Sequence, residues 1–218
     1  MSSLQPVRAE SLSAQVAESI REAIFSGELK PGQVLRELGL AKNMNVSQAT
    51  VREALSHLEH YGLVVRTPNR STSVTSLTAE ELQNRAGVWL TLESKIWEQV
   101  VNAPAELLLE LTAIASDMGE HDAVNASRRF HARVWESAGN PVLVRILDQL
   151  TTPLFAFCRM EQDGASQVAE RCRRMLDGIR SADVHMAQRA LSEQVDAMRN
   201  GHAHVAVEAE GREVSAGA

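Results

Sequence analysis

Ser47, Gln48, Thr50 and Arg52 place two hydroxyls, a carboxamide and a guanidinium within six residues. Val51, Leu55 and Leu58 recur at helical spacing through the same stretch, so one face is apolar and the polar groups fall outside it. A guanidinium matches the two acceptors of guanine and a carboxamide matches the donor and acceptor of adenine. Hydroxyls and backbone N–H groups suit phosphate oxygens. Such a set on a helix's first turns points to nucleic acid, although phosphate and base roles are not separable from sequence. His131 is a second candidate, beside Phe130 and close to the apolar stripe Phe130, Val134, Ala138. It reads as a hydrogen-bonded core histidine, as the lining of a pocket, or as a metal ligand. Cys172 shares a face with Met175, Leu176 and Ile179, which favours a buried inert thiol. Trp89, Trp97 and Trp135 read as core, and Arg171, Arg173 and Arg174 as a solvated face.

The elements that would position these groups follow from periodicity and punctuation. Residues 1–10 carry no period and are expected to lack fixed structure. Leu12, Val16, Ile20 and Ile24 make a helical stripe ending near Phe25, and Pro31-Gly32 suits the centre of a type II turn. A short helix fits about 36–43, and Ser47 is a good N-cap for the next. Leu63–Arg66 and Thr72–Ser76 are β-rich around a turn at 67–71, which makes a wing. Thr78 and Glu81 form a capping box that opens a long helix to about Val101. Further helices are expected near 104–118, 122–138, 141–158, 165–181 and 183–200. Asn140-Pro141 is a capping residue followed by proline at the first helical position. The expected fold class is therefore mainly α: a winged helix-turn-helix over 11–76, an all-α bundle over 78–200, and a flexible tail over 201–218.

The 218 residues suffice for two domains, and 44% hydrophobic content suffices for their cores. Cys158 and Cys172 resemble no disulfide framework, and no leader or run of about 18 apolar residues is visible, so a soluble, cytoplasmic protein is expected. The net charge of −6 is uneven: residues 1–76 hold 8 Lys/Arg and 7 Asp/Glu, and the remainder 14 and 21. A balance of +1 is a weak footprint for a DNA reader, so a few placed groups and dimerisation must supply the contacts. No Gly-rich phosphate loop or nucleophile elbow is present, which argues against an enzyme.

The chain resembles the GntR family of bacterial transcription regulators, in its FadR branch with an FCD-type ligand domain. The N-terminal likeness rests on G-E-L-K-P-G-x-x-L-R-E at 27–37, L-A at 40–41, V-S-x-x-x-V-R-E-A-L at 46–55 and G-L-V at 62–64. A looser likeness follows at L-E 92–93, F-H 130–131, A-G-N 138–140 and L-D-G-I-R-S-A-D 176–183. The resemblance implies a homodimer that binds double-stranded operator DNA and responds to a small metabolite, with Arg36, Ser47, Gln48, Thr50, Arg52 and the wing residues Asn69 and Arg70 at the DNA. Gln48 stands where the family usually has arginine, and Ala49-Thr50 where it has Thr-Pro, which implies an altered operator. The family's metal ligands fall at Ser127, His131, Cys172 and Gln194, and its effector arginine at Trp89. Only the histidine is kept, so these five positions are expected to line an effector pocket without metal or other cofactor. The alternatives are a DNA-binding dimer without effector and a metal-responsive regulator using His131 and Cys172.

Overall fold

The computed structural model describes residues 11–67, 71–100, 104–118, 123–157 and 164–215, and side chains at 164, 165 and from 200 onward lie outside that description. The chain divides into two compact units, residues 1–76 and 77–218. The expectation for residues 1–10 falls outside the described residues.

The first unit runs α1 (Leu12–Phe25), β1 (Val34–Leu35), α2 (Glu37–Asn43), α3 (Gln48–His60), β2 (Val64–Arg66) and β3 (Thr72–Val74). Ser11 caps α1, its hydroxyl accepting from the Ala14 amide. Of the stripe predicted from sequence, Val16, Ile20 and Ile24 are buried but Leu12, in the first turn, is exposed; Val51, Ala54, Leu55 and Leu58 of α3 are buried. Asn45, with φ 53°, lies in the turn between α2 and α3, and the Val46 amide reaches back to the Ala41 carbonyl at 3.0 Å. An asparagine tolerates that left-handed conformation better than most residues.

The strand β1 is an addition to the sequence reading, because two residues give no alternation to detect. It joins β3 and β2 in an antiparallel sheet of order β1-β3-β2, with Leu35 opposite Thr72 and Val64 opposite Val74. The predicted turn places it there. Gly32 has φ 76°, as the third position of a type II turn requires, and the Gln33 amide donates to the Lys30 carbonyl at 3.0 Å. The Gly32 amide then donates to Val74, and Val74 to the Gln33 carbonyl.

The second unit is a bundle of α4 (Ala79–Val100), α5 (Ala105–Ser116), α6 (Ala123–Ser137), α7 (Pro141–Phe157), α8 (Gly164–Arg180) and α9 (Val184–Ser215). The capping box is formed: the Thr78 amide donates to Glu81 at 2.9 Å and the Glu81 amide to the Thr78 hydroxyl at 3.1 Å. Asn140 caps α7 by accepting from the Val142 and Leu143 amides. Asp183 caps α9 by accepting from Met186 at 3.0 Å. At Gly178 a Cβ would lie 2.8 Å from the Ala187 nitrogen, so glycine lets α8 and α9 meet closely.

The last helix is expected from sequence to end near residue 200, and α9 instead continues to Ser215, with residues 216–218 outside the described residues. The segment past residue 200 is rich in alanine and glutamate, both good helix formers, and its glycines and β-branched residues do not interrupt an already nucleated helix.

Candidate functional site

On the first unit the polar residues fall where the helical spacing puts them. Ser47, Gln48, Arg52 and Arg36 are exposed and Thr50 is half-buried. Ser47 is the N-cap of α3: its Oγ accepts from the Thr50 amide at 3.1 Å and lies 2.8 Å from the Thr50 hydroxyl. These two hydroxyls therefore define the start of α3 before they meet any partner. Arg36 occupies the N-cap position of α2 without a side-chain capping bond. Asn69 and Arg70 lie outside the described residues, although the wing's base is closed by the Thr67 amide bonding the Ser71 carbonyl at 3.0 Å.

Glu37, the last residue of the 27–37 motif and given no role from sequence, ties this face together. Its carboxylate accepts from Gln48 Nε2 at 3.1 Å and from Arg52 Nε and Nη2 at 3.2 and 2.9 Å. The Arg52 hydrogen bonds, its positive charge and the Gln48 hydrogen bond hold the Glu37 carboxyl below the usual glutamate range, against a partial opposing effect of burial. The same contact raises Arg52, already a permanent cation. Arg66 on β2 donates to the Arg52 carbonyl at 3.1 Å and pairs with Glu59 at 3.4 Å, bracing the wing strand against α3. The side chains that Glu37 meets could not be read locally from that motif, because its partners are 11 and 15 residues away.

In the second unit Trp89, Ser127, His131, Cys172 and Gln194 are all fully buried. Trp89 and His131 share one acceptor, the Glu93 carboxylate. Glu93 is the centre, itself at 0% exposure. It accepts from Trp89 Nε1 at 2.5 Å, Trp97 Nε1 at 3.1 Å, Trp135 Nε1 at 2.7 Å and pairs with His131 Nδ1 at 2.7 Å. Every tryptophan in the chain thus donates to one carboxylate. An indole N–H can only donate, so both oxygens act as acceptors and the buried carboxylate is satisfied on all four sites. The Trp89 and His131 rings meet edge to face at 5.2 Å, and Phe155 lies against both. Among the described residues His131 Nε2 and Ser127 Oγ have no hydrogen-bond partner. Cys172 neighbours Ser127, and burial pushes its thiol up to about 12, leaving it protonated and unreactive.

Arg171 is corrected from a solvated position to a buried one at 7% exposure, donating to Gln194 Oε1 at 2.6 Å. Arg173 is exposed and paired with Glu170, and Arg174 is half-buried and paired with Glu193. Adjacent residues point to different sides of a helix, so three consecutive-looking arginines need not share a face. One imidazole, one thiol, a hydroxyl and an amide oxygen already held by a guanidinium are a poor donor set for a divalent ion, and among the described residues no three His, Cys, Asp or Glu side chains group so as to hold one.

A three-helix unit with a short sheet, its last helix capped by serine and the polar face of that helix exposed, is the winged helix-turn-helix arrangement of DNA-binding proteins, followed here by a helical bundle. The family comparison is consistent across both units: residues 12–74 match the bacterial regulatory proteins of the gntR family, and residues 88–209 match the FCD domain. The chain belongs to the GntR family of transcription regulators, with an FCD domain. It is 30% identical over 155 residues to the HTH-type regulator YdhC of Bacillus subtilis, covering 67% of this chain and 69% of that one. It is 26% identical to a probable D-xylose utilization operon repressor of Paenarthrobacter nicotinovorans, over 88% and 89% of the two chains. The solved structure of E. coli McbR shares the fold at a TM-score of 0.70 and 21% identity, over 91% of this chain and 98% of that one. These relatives are regulators rather than enzymes. Among the described residues no helix is long and apolar enough to cross a membrane.

Proposed function

We propose that the protein is a cytoplasmic repressor that binds a palindromic operator as a homodimer and whose affinity is modulated by a small molecule in the helical unit. The observation that carries the DNA half is the exposure of Gln48 and Arg52 on the first two turns of α3, the part of such a helix that enters the major groove. Arg36, Ser47 and Thr50 serve phosphates or neighbouring bases, with Asn69 and Arg70 at the wing tip. Repression is supported by relatives named as repressors of sugar operons, including a gluconate operon repressor of Bacillus subtilis.

The effector half rests on the unpartnered His131 Nε2 and Ser127 Oγ in the bundle interior, since buried polar atoms ordinarily find partners. With Nδ1 on Glu93, Nε2 is the ring nitrogen left for a ligand. A ligand with a polar group and an apolar body suits that atom and the indoles around it. None of the five side chains touches solvent, so entry requires the helices to part. The rival reading, a dimer without effector, is favoured by the indoles that already occupy the space around Glu93.

The test of the DNA half is selection of bound duplexes from a random library by the full-length protein, followed by titration. Arg52→Ala, folded by circular dichroism, is expected to bind the selected site more than tenfold more weakly. Equal binding by that variant would remove α3 from the interface. For the effector half, tryptophan fluorescence and operator affinity are measured against a panel of small metabolites. A change in both with one compound supports the proposal, and operator affinity unmoved by the whole panel supports the dimer without effector.

A further inference from the structure

The carboxylate of Glu37 sits on the two side chains that the proposed interface relies on for base reading. From this contact we infer that Glu37 is a specificity-determining positioning residue, which presents Gln48 and Arg52 to base edges in one fixed arrangement and disfavours their use on phosphates. The inference rests on the α3 placement of the preceding section.

The contact is poorly suited to a stabilising role. Arg52 is 59% exposed and Glu37 24% exposed, and pairs of that kind contribute little to folding. Their effect on geometry is larger. A carboxylate only accepts, so Gln48 must turn its NH2 group towards Glu37. The amide orientation is thereby chosen, and its oxygen and second N–H remain for a base, the pair that adenine requires. On Arg52, Nε and one Nη2 hydrogen face Glu37. The Nη1 group and the remaining Nη2 hydrogen are left as two parallel donors, the pair that guanine O6 and N7 require. The two longest side chains of the reading face lose rotamer freedom before DNA arrives rather than on arrival. A negative charge between them also opposes the approach of a phosphate, which an unrestrained arginine would otherwise favour. Arg66 helps to hold the same arrangement by bonding the Arg52 carbonyl at 3.1 Å. Glu37 is held below the usual glutamate range, first by the Arg52 hydrogen bonds, so it is ionised wherever the protein is folded near neutral pH.

The experiment is duplex selection from a random library with full-length wild type, Glu37→Gln, Glu37→Asp and Arg52→Ala, each checked for folding, with affinities for the wild-type site and for an unrelated duplex measured across a salt series. Glu37→Gln is expected to bind the unrelated duplex at least as tightly as wild type. Its ratio of specific to non-specific affinity should fall about tenfold, and selected sites should lose preference at the position read by Arg52 or Gln48. The salt slope on the unrelated duplex should steepen by about one as Arg52 turns to phosphate. Glu37→Asp keeps the charge at the start of α2 but withdraws it by one methylene, so it should lose discrimination too. It also decides the matter should Glu37→Gln fail to fold. Wild-type selectivity in either folded variant overturns the inference, and a loss confined to Glu37→Gln would assign the residue to the helix terminus alone. Arg52→Ala in the same series separates the two readings: if it too retains wild-type selectivity, the placement of α3 has failed, not only the role of Glu37.

Discussion

Gln48 opens α3 with an exposed carboxamide, and on the proposed interface that group sets which bases can be recognised. A good bidentate base contact discriminates by about 1–3 kcal/mol. Gln48→Arg is therefore expected to shift selected sites towards guanine at one position of each half-site, read by sequencing of selected duplexes. Unchanged selection would show that residue 48 meets only backbone or water. The Glu37 contact makes a second statement at this scale. A carboxyl with its folded value depressed contributes while ionised, fully above its unfolded value near 4.3 and progressively less as pH falls through the lower folded value. Site preference should accordingly be constant from about pH 6 to 8 and degrade only in acid, if the protein remains folded there. A change of preference within the neutral range would implicate another group.

At the scale of elements, the bundle depends on two close associations that helical propensity does not describe. Gly178 is one. In most helix interiors Gly→Ala stabilises by about 1 kcal/mol. Here the added methyl would meet the Ala187 nitrogen at 2.8 Å and the Asp183 carbonyl at 2.9 Å, and backbone cannot retreat as a side chain can. Gly178→Ala is expected to reverse the usual sign and destabilise by roughly 1–3 kcal/mol, measured by chemical denaturation. A more stable variant would show that α8 and α9 separate easily. Glu93 is the other association, joining α4 to α6 through His131 and Trp135. Glu93→Gln puts an NH2 group against donors that have no other acceptor, so a loss of about 3–5 kcal/mol is expected. Tryptophan emission should change with it, because all three indoles lose a common partner.

For the whole molecule, charge is divided between the units. The DNA-reading unit is nearly neutral and the helical unit carries the negative excess, so on the proposed dimer affinity would come from placed contacts on two copies rather than from a general basic surface. Operator binding should fall steeply and log-linearly with salt, with a slope set by the phosphates neutralised by both subunits. A binding stoichiometry of one chain per site, from sedimentation of the complex, would reject the dimer. Metal analysis of protein purified without chelator is expected to find no stoichiometric divalent ion. A near-stoichiometric ion lost on His131→Ala would overturn that expectation.

Much of this was written in local sequence. The α1 and α3 stripes, the Ser47 cap, the Pro31-Gly32 turn, the Thr78–Glu81 box and the division near residue 77 all depend on groups within a few residues of one another. Periodicity and capping are short-range, so they survive in a string of letters. Strand β1 and the course of α9 past residue 200 were not read, the first because pairing partners 37 to 39 residues away create it. The two carboxylates that organise the sites stand in the motifs at 27–37 and 92–93, but their partners were not legible there. Glu37 meets Arg52 across a turn, and Glu93 meets His131 and Trp135 from another helix, 38 and 42 residues on. Sequence alone determined that a helix would present Gln48 and Arg52 and that His131 would lie on an inward stripe. Only tertiary packing decided which acid each would answer to, because a buried or braced charge chooses its partners by distance in space and not by position in the chain.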